Sequence, residues 1–182
     1  MPNYKRRYGG DAYFFTIVTW HRLAIFNNDK ARECLRQAWK IVEERHPFTT
    51  LAVCLLPDHI HAIWTLPESD DNYSIRWKEI KRQFTLRYFS ESESEYAITE
   101  SRRKRGEAGI WQRRFGEHTI TNSDDLSMHI DYIHFNPVKH GLVKSAREWR
   151  WSSFHRYVAN GHYDENWGKA IEYWGNQEFG DC

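Results

Sequence analysis

The segment LPDHIHAIWTL, residues 56–66 of a 182-residue chain, decides the fold that the sequence predicts. Alternate side chains of a β-strand point to opposite faces, and one face of this segment is uniformly apolar. The other face carries His59 and His61, so both imidazoles are expected to point away from the main core. Two such side chains can converge on one metal ion, because neutral imidazole is a common metal ligand. Two ligands are too few for a firm site, however, and this spacing alone is a weak signal.

Three further strands and two helices surround this segment in the sequence. Aromatic and β-branched runs predict strands, and apolar positions at helical spacing predict helices. The strands are expected at 12–20, 49–56, 59–66 and 110–120. One helix is expected at 28–45, and a second carries Trp77, Ile80, Phe84 and Tyr88 on its apolar face. The order β-α-β-β-α-β predicts an α+β fold with a ferredoxin-like (RRM-like) antiparallel sheet and two helices on one face.

A third helix is predicted from SDDLSMHIDYIHFNP, residues 123–137. Ser123 is the expected N-cap, two acids fill the first turn, and Pro137 is expected to end the helix. Tyr132 and Asn136 are four residues apart and therefore lie on one edge of its apolar stripe. If that stripe packs on the free face of the sheet, the edge meets the histidine pair, and an amide oxygen suits Mg²⁺ or Mn²⁺. From these residues alone, an ordinary amphipathic helix with a half-buried tyrosine is the simpler explanation.

Composition argues against several classes of protein. The sequence has no apolar run of about 18 residues, so no membrane span is expected, and residues 1–10 lack the apolar stretch of a secretory signal. It has no glycine-rich phosphate loop and no GxSxG elbow, which disfavours nucleotide-binding and hydrolase folds. Three cysteines without metal or redox spacing indicate a reducing cytosol. Nine tryptophans are enough both to fill a core and to stack on bases.

The formal net charge of +1 hides three basic clusters. They lie in residues 4–8, on the second helix and in residues 101–114, and acids at 90–100 and near the C-terminus balance them. A polarised surface with its cationic side toward DNA phosphates is therefore expected. The predicted DNA-contacting residues are Lys5, Arg6, Arg7, Arg76, Lys78, Lys81, Arg82, Arg113 and Arg114. The polar segment 90–109 is expected to be a mobile loop.

Several motifs occur in a fixed order along the chain. They are HIH at 59–61, WQRRF at 111–115, YIHFNPVKHGLV at 132–143 and WSSFHRY at 151–157. Together they resemble the REP-associated tyrosine transposases, a branch of the HUH single-strand endonucleases that is related to single-strand insertion-sequence transposases. The likeness runs from about Tyr4 to Tyr157, which is most of the chain.

This resemblance implies a metal-dependent DNA transposase. By position, His59, His61 and Asn136 bind the divalent metal, Mg²⁺ or Mn²⁺, and Tyr132 is the nucleophile that forms a 5′-phosphotyrosine. The implied partners are single-stranded DNA and REP-type DNA hairpins, without a nucleotide cofactor or a membrane, in the bacterial cytoplasm. Insertion-sequence relatives exchange catalytic helices in a homodimer, whereas the REP-associated branch is expected to act as a monomer.

The expected organisation is a catalytic domain over residues 1–145 followed by an irregular aromatic tail over residues 146–182. Within the tail, aromatic residues at a spacing of three in segment 151–157 predict one apolar stripe that docks on the domain. A sequence-reading or autoinhibitory segment near the active site is the competing interpretation. The acidic residues 163–182 carry no motif that we recognise.

The sequence does not distinguish between several residue roles and protein classes. His118 and His129 either support the metal site or a proton transfer, or they are packing histidines. The chain is either an enzyme or a REP-hairpin-binding protein that has lost cleavage. An RNA-binding domain of the RRM type would need an aromatic signature that the central strands lack. A zinc hydrolase would need a third histidine or a carboxylate ligand, and a metal-bound water would then replace Tyr132 as the nucleophile.

Overall fold

The computed structural model describes residues 12–91 and 109–169. This part contains the strands β1 (Ala12–Val18), β2 (Thr49–Leu55), β3 (His59–Thr65) and β4 (Gly116–Ile120). Its helices are α1 (Asp29–Arg45), α2 (Tyr73–Glu91), α3 (Ser123–Lys139) and α4 (Phe154–Ala159). None of these helices is long and apolar enough to cross a membrane. Lys5, Arg6, Arg7, most of the predicted loop at 90–109 and residues 170–182 lie outside the described part.

The four strands form one antiparallel sheet in the order β2-β3-β1-β4. This order confirms the predicted ferredoxin-like fold. Helices α1 and α2 pack on one face of the sheet, where they meet the uniformly apolar side of β3. At the centre of this core, Trp64 of β3 stacks on Trp77 of α2 with ring centroids 4.2 Å apart. The alternation of side chains in β3 therefore predicted the buried face correctly.

Helix α3 covers the opposite face of the sheet. Ile130 and Ile133 of α3 pack there with Ala52 and Ile63 in a second apolar core. This is the face toward which the predicted histidine pair points, so the histidines are enclosed between β3 and α3. The predicted packing of the tyrosine-bearing helix is thus confirmed.

The start of α3 differs by one residue from the prediction. Asn122, and not Ser123, is the N-cap. Its side-chain oxygen accepts hydrogen bonds from the N–H groups of Asp124 and Asp125 at 3.0 and 2.9 Å. The extended backbone of Asn122 allows this reach, and the two acids add favourable charge at the positive end of the helix dipole.

The end of α3 also differs, because Pro137 does not end the helix. It lies inside the last turn, and the helix continues to Lys139. One missing N–H does not break the turn, since the His140 N–H still donates to the carbonyl of Asn136 at 3.0 Å. Gly141 then adopts a φ of +67°, a left-handed conformation that commonly ends helices.

Strand β4 is shorter than the predicted strand at 110–120. Ile110 and Trp111 are both buried in the core with α1 and α2. Two successive residues of a regular strand point to opposite faces, so this pair cannot belong to one. Instead, Trp111 forms an isolated bridge with Thr19, just after β1, and the regular strand begins at Gly116.

Segment 151–157 docks along β2, which is an edge strand of the sheet. The Leu55 N–H donates to the Trp151 carbonyl at 2.9 Å, and the Ser153 N–H donates to the Val53 carbonyl at 2.8 Å. These bonds satisfy backbone groups that an edge strand would otherwise leave open. Two residues of the predicted stripe are buried in the second core: Phe154 and Tyr157. The structure therefore favours the docking role over the autoinhibitory one.

Candidate active site

His59 and His61 lie beside each other on the face of β3 that α3 covers. They are 4% and 1% exposed, and their ring centroids are 4.8 Å apart. His59 Nδ1 lies 2.6 Å from a carboxylate oxygen of Asp58, and His61 Nδ1 lies 3.0 Å from the Thr16 hydroxyl. Because a carboxylate accepts, His59 donates to Asp58 through Nδ1–H, and in the neutral ring the lone pair then lies on Nε2. In both histidines, Nε2 is therefore the atom that remains for another ligand.

The environment of His61 favours the neutral imidazole. Burial lowers its pKa well below the usual range, and electrostatic interactions with His59, His140 and Lys139 lower it further. A neutral imidazole is the form that binds a metal ion.

Asp58 holds His59 from the turn that precedes β3. Burial acts to raise the pKa of this carboxyl, but hydrogen bonds from His59 and Arg22 lower it overall. Arg22 donates to the second carboxylate oxygen at 3.3 Å. Metal-binding histidines commonly donate their second N–H to a carboxylate, which fixes the ring orientation and makes the ligand more basic. Arg22 and Asp58 thus orient His59.

Helix α3 brings Tyr132 and Asn136 to the histidine pair. Tyr132 is 5% exposed, and its ring centroid lies 5.2 Å from that of His61 in an edge-on arrangement. Asn136 follows one helical turn later and is fully buried.

Three polar atoms in this region have no hydrogen-bond partner among the described residues. They are His61 Nε2 and the side-chain oxygen and nitrogen of Asn136. Buried polar atoms without partners are rare in folded proteins, because each costs about 1–3 kcal/mol. An imidazole nitrogen and an amide oxygen are also donors that a divalent metal accepts. The residues present therefore fit the predicted metal.

Two residues that the sequence analysis did not single out complete the surroundings. Lys139 places its ammonium 4.9 Å from the centroid of the Tyr132 ring. The His140 ring lies 5.2 Å from that of His59. Spacing offered a signal for His140, since it follows Asn136 by four residues and so continues the same helix edge. Lys139 gave no such signal.

Comparison with known proteins identifies the family. The family described as IS200-like transposases matches residues 11–136. A protein of Haemophilus influenzae, provisionally named a REP-associated tyrosine transposase, is 47% identical over 169 residues, which cover 92% of this chain and 94% of the relative. The chain belongs to the REP-associated tyrosine transposases.

Two further relatives agree with this assignment. A REP-associated tyrosine transposase of Escherichia coli is 42% identical over 172 residues, which cover 94% of this transposase and 93% of the relative. A solved structure of a REP-associated tyrosine transposase bound to a REP hairpin has a TM-score of 0.72 and 40% sequence identity, and the match covers 95% of each chain. The family that the motifs indicated is thus confirmed.

Arg76 does not fit its predicted contact with DNA. It is 2% exposed, and its guanidinium donates to the carboxylate of Asp70 and to the carbonyls of His46 and Pro47. These last two carbonyls belong to the residues that follow α1, where helix carbonyls lack partners within the helix. Arg76 therefore stabilises the connection after α1, and its donors are not available to a phosphate.

The other predicted cations on α2 lie across the sheet from Tyr132. Lys81 is half-buried and donates to the Gln112 carbonyl at 3.1 Å, and burial lowers its pKa to about 8. Lys78 and Arg82 are exposed. Since α2 and α3 pack on opposite faces of the sheet, these cations do not border the candidate site.

Arg113 and Arg114 are exposed. They follow Trp111, which pairs with Thr19. The Thr19 N–H in turn donates to the Asp58 carbonyl at 2.9 Å, next to His59. Both arginines stay predicted DNA contacts.

His118 and His129 form a separate cluster with Asp125. The His129 ring lies 4.8 Å from the Phe14 ring, which itself lies 5.6 Å from that of His61. The predicted supporting role at the metal site would therefore act through Phe14.

Proposed function

We propose that this chain is a metal-dependent tyrosine transposase that cleaves and rejoins single-stranded DNA beside a REP-type hairpin. The observation that carries the proposal is the set of three buried polar atoms without partners among the described residues, on His61 and Asn136, together with the Tyr132 ring that lies against His61. In this proposal His59, His61 and Asn136 hold one Mg²⁺ or Mn²⁺ ion, and Asp58 and Thr16 keep the two imidazoles in place. Family membership and the unpartnered atoms support this assignment independently of each other.

A divalent ion bound there supplies positive charge that neutralises the oxygens of the scissile phosphodiester. Tyr132 provides the nucleophile. Its phenolic oxygen bonds to phosphorus while the bond from phosphorus to the 3′ oxygen of the preceding nucleotide breaks. The phenol loses its proton, and the 3′ oxygen leaves as a hydroxyl. One phosphoester replaces another, so attack by a 3′-OH on the phosphotyrosine rejoins DNA without ATP.

Lys139 is proposed to favour the reactive form of Tyr132. A free phenol has a pKa of about 10, so it needs help to react at neutral pH. The Lys139 ammonium lies 4.9 Å from the Tyr132 ring centroid, and a nearby positive charge favours the phenolate over the phenol.

The proposed enzyme acts as a monomer. Tyr132 contacts the His61 ring of its own chain, so nucleophile and metal ligands come together without a second subunit. This arrangement agrees with the expectation for the REP-associated branch.

Hairpin DNA is the proposed partner, because the solved relative at 40% identity is bound to a REP hairpin. Arg113 and Arg114 are proposed to contact phosphates near the cleaved bond. Lys5, Arg6 and Arg7 stay predicted contacts. Cys34 and Cys54 are buried as thiols, which suits a reducing bacterial cytoplasm, where such DNA is found.

Covalent capture tests the proposal directly. The protein is incubated with Mn²⁺ and a REP hairpin that carries single-stranded flanks and a 3′ label, and the products are separated under denaturing conditions. The expected result is a protein–DNA adduct that carries the 3′-labelled fragment and disappears with EDTA and in Tyr132→Phe. Tyr73→Phe is the matched control, because Tyr73 lies on α2 across the sheet, and this variant should form the adduct normally.

Two outcomes would replace the proposal. Cleavage that persists in Tyr132→Phe would point to a metal-bound water as the nucleophile. Tight hairpin binding without cleavage in Mg²⁺ or Mn²⁺ would leave a DNA-binding protein that has lost catalysis.

A further inference from the structure

His118, Asp125 and His129 form a second cluster of metal-ligating side chains. His118 belongs to the edge strand β4, and the other two lie on the first two turns of α3. Each offers one ligand atom, and these atoms all lie within 4.8 Å of one another. None of the three residues has a part in the cleavage mechanism proposed above.

The spacing of the donors is close to that of a metal site. His118 Nε2 lies 3.0 and 3.1 Å from the two carboxylate oxygens of Asp125, and His129 Nδ1 lies 2.9 Å from one of them. His129 Nδ1 also lies 2.9 Å from the Asp125 backbone carbonyl, a hydrogen bond that metal binding through this nitrogen would replace. A tetrahedral zinc ion with bonds of about 2.0–2.1 Å holds its ligand atoms about 3.3 Å apart. The carboxylate is thus already at a suitable distance from both imidazoles. His118 can close the remaining gap, since its side chain is 46% exposed and it lies on an edge strand.

Surrounding groups hold the carboxylate in place. The Thr121 N–H and hydroxyl donate to one oxygen of Asp125 at 2.8 and 3.1 Å. Hydrogen bonds of this kind orient the ligands of known metal sites.

We propose that His118, Asp125 and His129 bind a transition-metal ion, with Zn²⁺ as the best match. Two imidazoles and one carboxylate are a zinc-type ligand set that leaves a fourth position for water. Mg²⁺, by contrast, prefers oxygen ligands. The ion would join the edge strand β4 to the start of α3, which is the helix that carries Tyr132. This second site is independent of the proposed cleavage function.

Cobalt binding tests the site, because Co²⁺ takes the place of Zn²⁺ and absorbs visible light. The full chain carrying His59→Ala and His61→Ala is titrated with Co²⁺, so that the histidines of the first site cannot contribute. The expected result is one equivalent of bound Co²⁺ with the visible bands of a four- or five-coordinate complex. Adding His118→Asn should weaken Co²⁺ binding at least tenfold, whereas His155→Asn, another exposed histidine, should leave it unchanged.

Thermal unfolding of the same proteins gives a second readout. Zn²⁺ in excess over its Kd should raise the Tm of the double variant and of its His155→Asn derivative, but not of its His118→Asn derivative. The inference is overturned if Co²⁺ does not bind, if His118→Asn leaves its affinity unchanged, or if a thiolate charge-transfer band assigns the ion to a cysteine. Loss of DNA cleavage in the double variant bears only on the first site, so the two proposals fail separately.

Discussion

Replacing Asn136 with leucine separates two effects of the proposed metal site formed by His59, His61 and Asn136. One effect is the cost of its unpartnered polar atoms to stability, and the other is its role in DNA cleavage. The side chain is fully buried, and neither of its polar atoms has a partner within the described residues. Each such atom costs about 1–3 kcal/mol, and leucine has a similar volume without polar atoms. After a deduction of about 1 kcal/mol for the different shape, the free energy of unfolding without metal should rise by about 2 kcal/mol. For a chain of this length that corresponds to a Tm increase of about 4–8 °C.

Unfolding in EDTA and in Mn²⁺ measures both halves of this prediction. At a Mn²⁺ concentration of about one hundred times Kd, a bound ion stabilises the wild type by about 2.7 kcal/mol. The leucine variant keeps two imidazoles but loses the amide oxygen, so it should gain little at the same concentration. The order of stability should therefore reverse, with leucine ahead in EDTA and the wild type ahead in Mn²⁺. DNA cleavage should be lost in the variant.

The exposed Asn160 provides the control, since Asn160→Leu adds the same apolar side chain away from the site and should change neither measurement. A leucine variant that is less stable than the wild type in EDTA would mean that the polar atoms of Asn136 are satisfied. The argument from unpartnered atoms would then fail. Equal stabilisation of variant and wild type by Mn²⁺ would refute Asn136 as a ligand.

Three more substitutions test other contacts. Asp58→Asn removes the charge that orients His59, so Mn²⁺ affinity measured by calorimetry should fall about 10–100-fold; unchanged affinity would contradict this role. Arg76→Met removes the donor of the partly buried bonds to Asp70 and to the carbonyls after α1, so it should lower the free energy of unfolding by about 1–3 kcal/mol, while hairpin affinity in gel shifts below the Tm stays the same. The pKa of Lys81 is lowered from 10.5 to about 8, so the unfolded chain binds more protons between these values and wild-type stability should rise with pH there. Lys81→Met should flatten this rise of stability with pH and should raise the free energy of unfolding at pH 7 by about 1 kcal/mol, as measured by denaturant unfolding. The same change at the exposed Lys78 should have neither effect.

Local periodicity was sufficient to predict the faces of the elements that form the site. The alternation in β3 placed His59 and His61 on one face because strand side chains repeat every second residue. The helical repeat placed Tyr132 and Asn136 on one edge of α3. Both inferences need only neighbours in sequence, and the structure agrees with both.

Features that depend on distant partners could not be predicted in this way. Arg76 looked like one cation among several on α2, yet its acceptors lie about 30 residues earlier, after α1, and come into reach only when the two helices pack. The burial of both Ile110 and Trp111 depends on the same core. The partner of His61 Nδ1 was equally hidden, since Thr16 belongs to a strand 45 residues away from His61 in sequence.

The course of α3 explains how one helix serves two clusters. His129 lies next to His118 of β4, Tyr132 lies next to His61 of β3, and His140, directly after the helix, lies next to His59. Phe14 of β1, the strand between β4 and β3, lies 4.8 Å from His129 and 6.0 Å from Tyr132 between ring centroids. The helix therefore passes from β4 over β1 to β3 and then continues along β3, since both Tyr132 and His140 meet histidines of that strand. Its first two turns thus supply residues to the second cluster, and its later turns supply residues to the first.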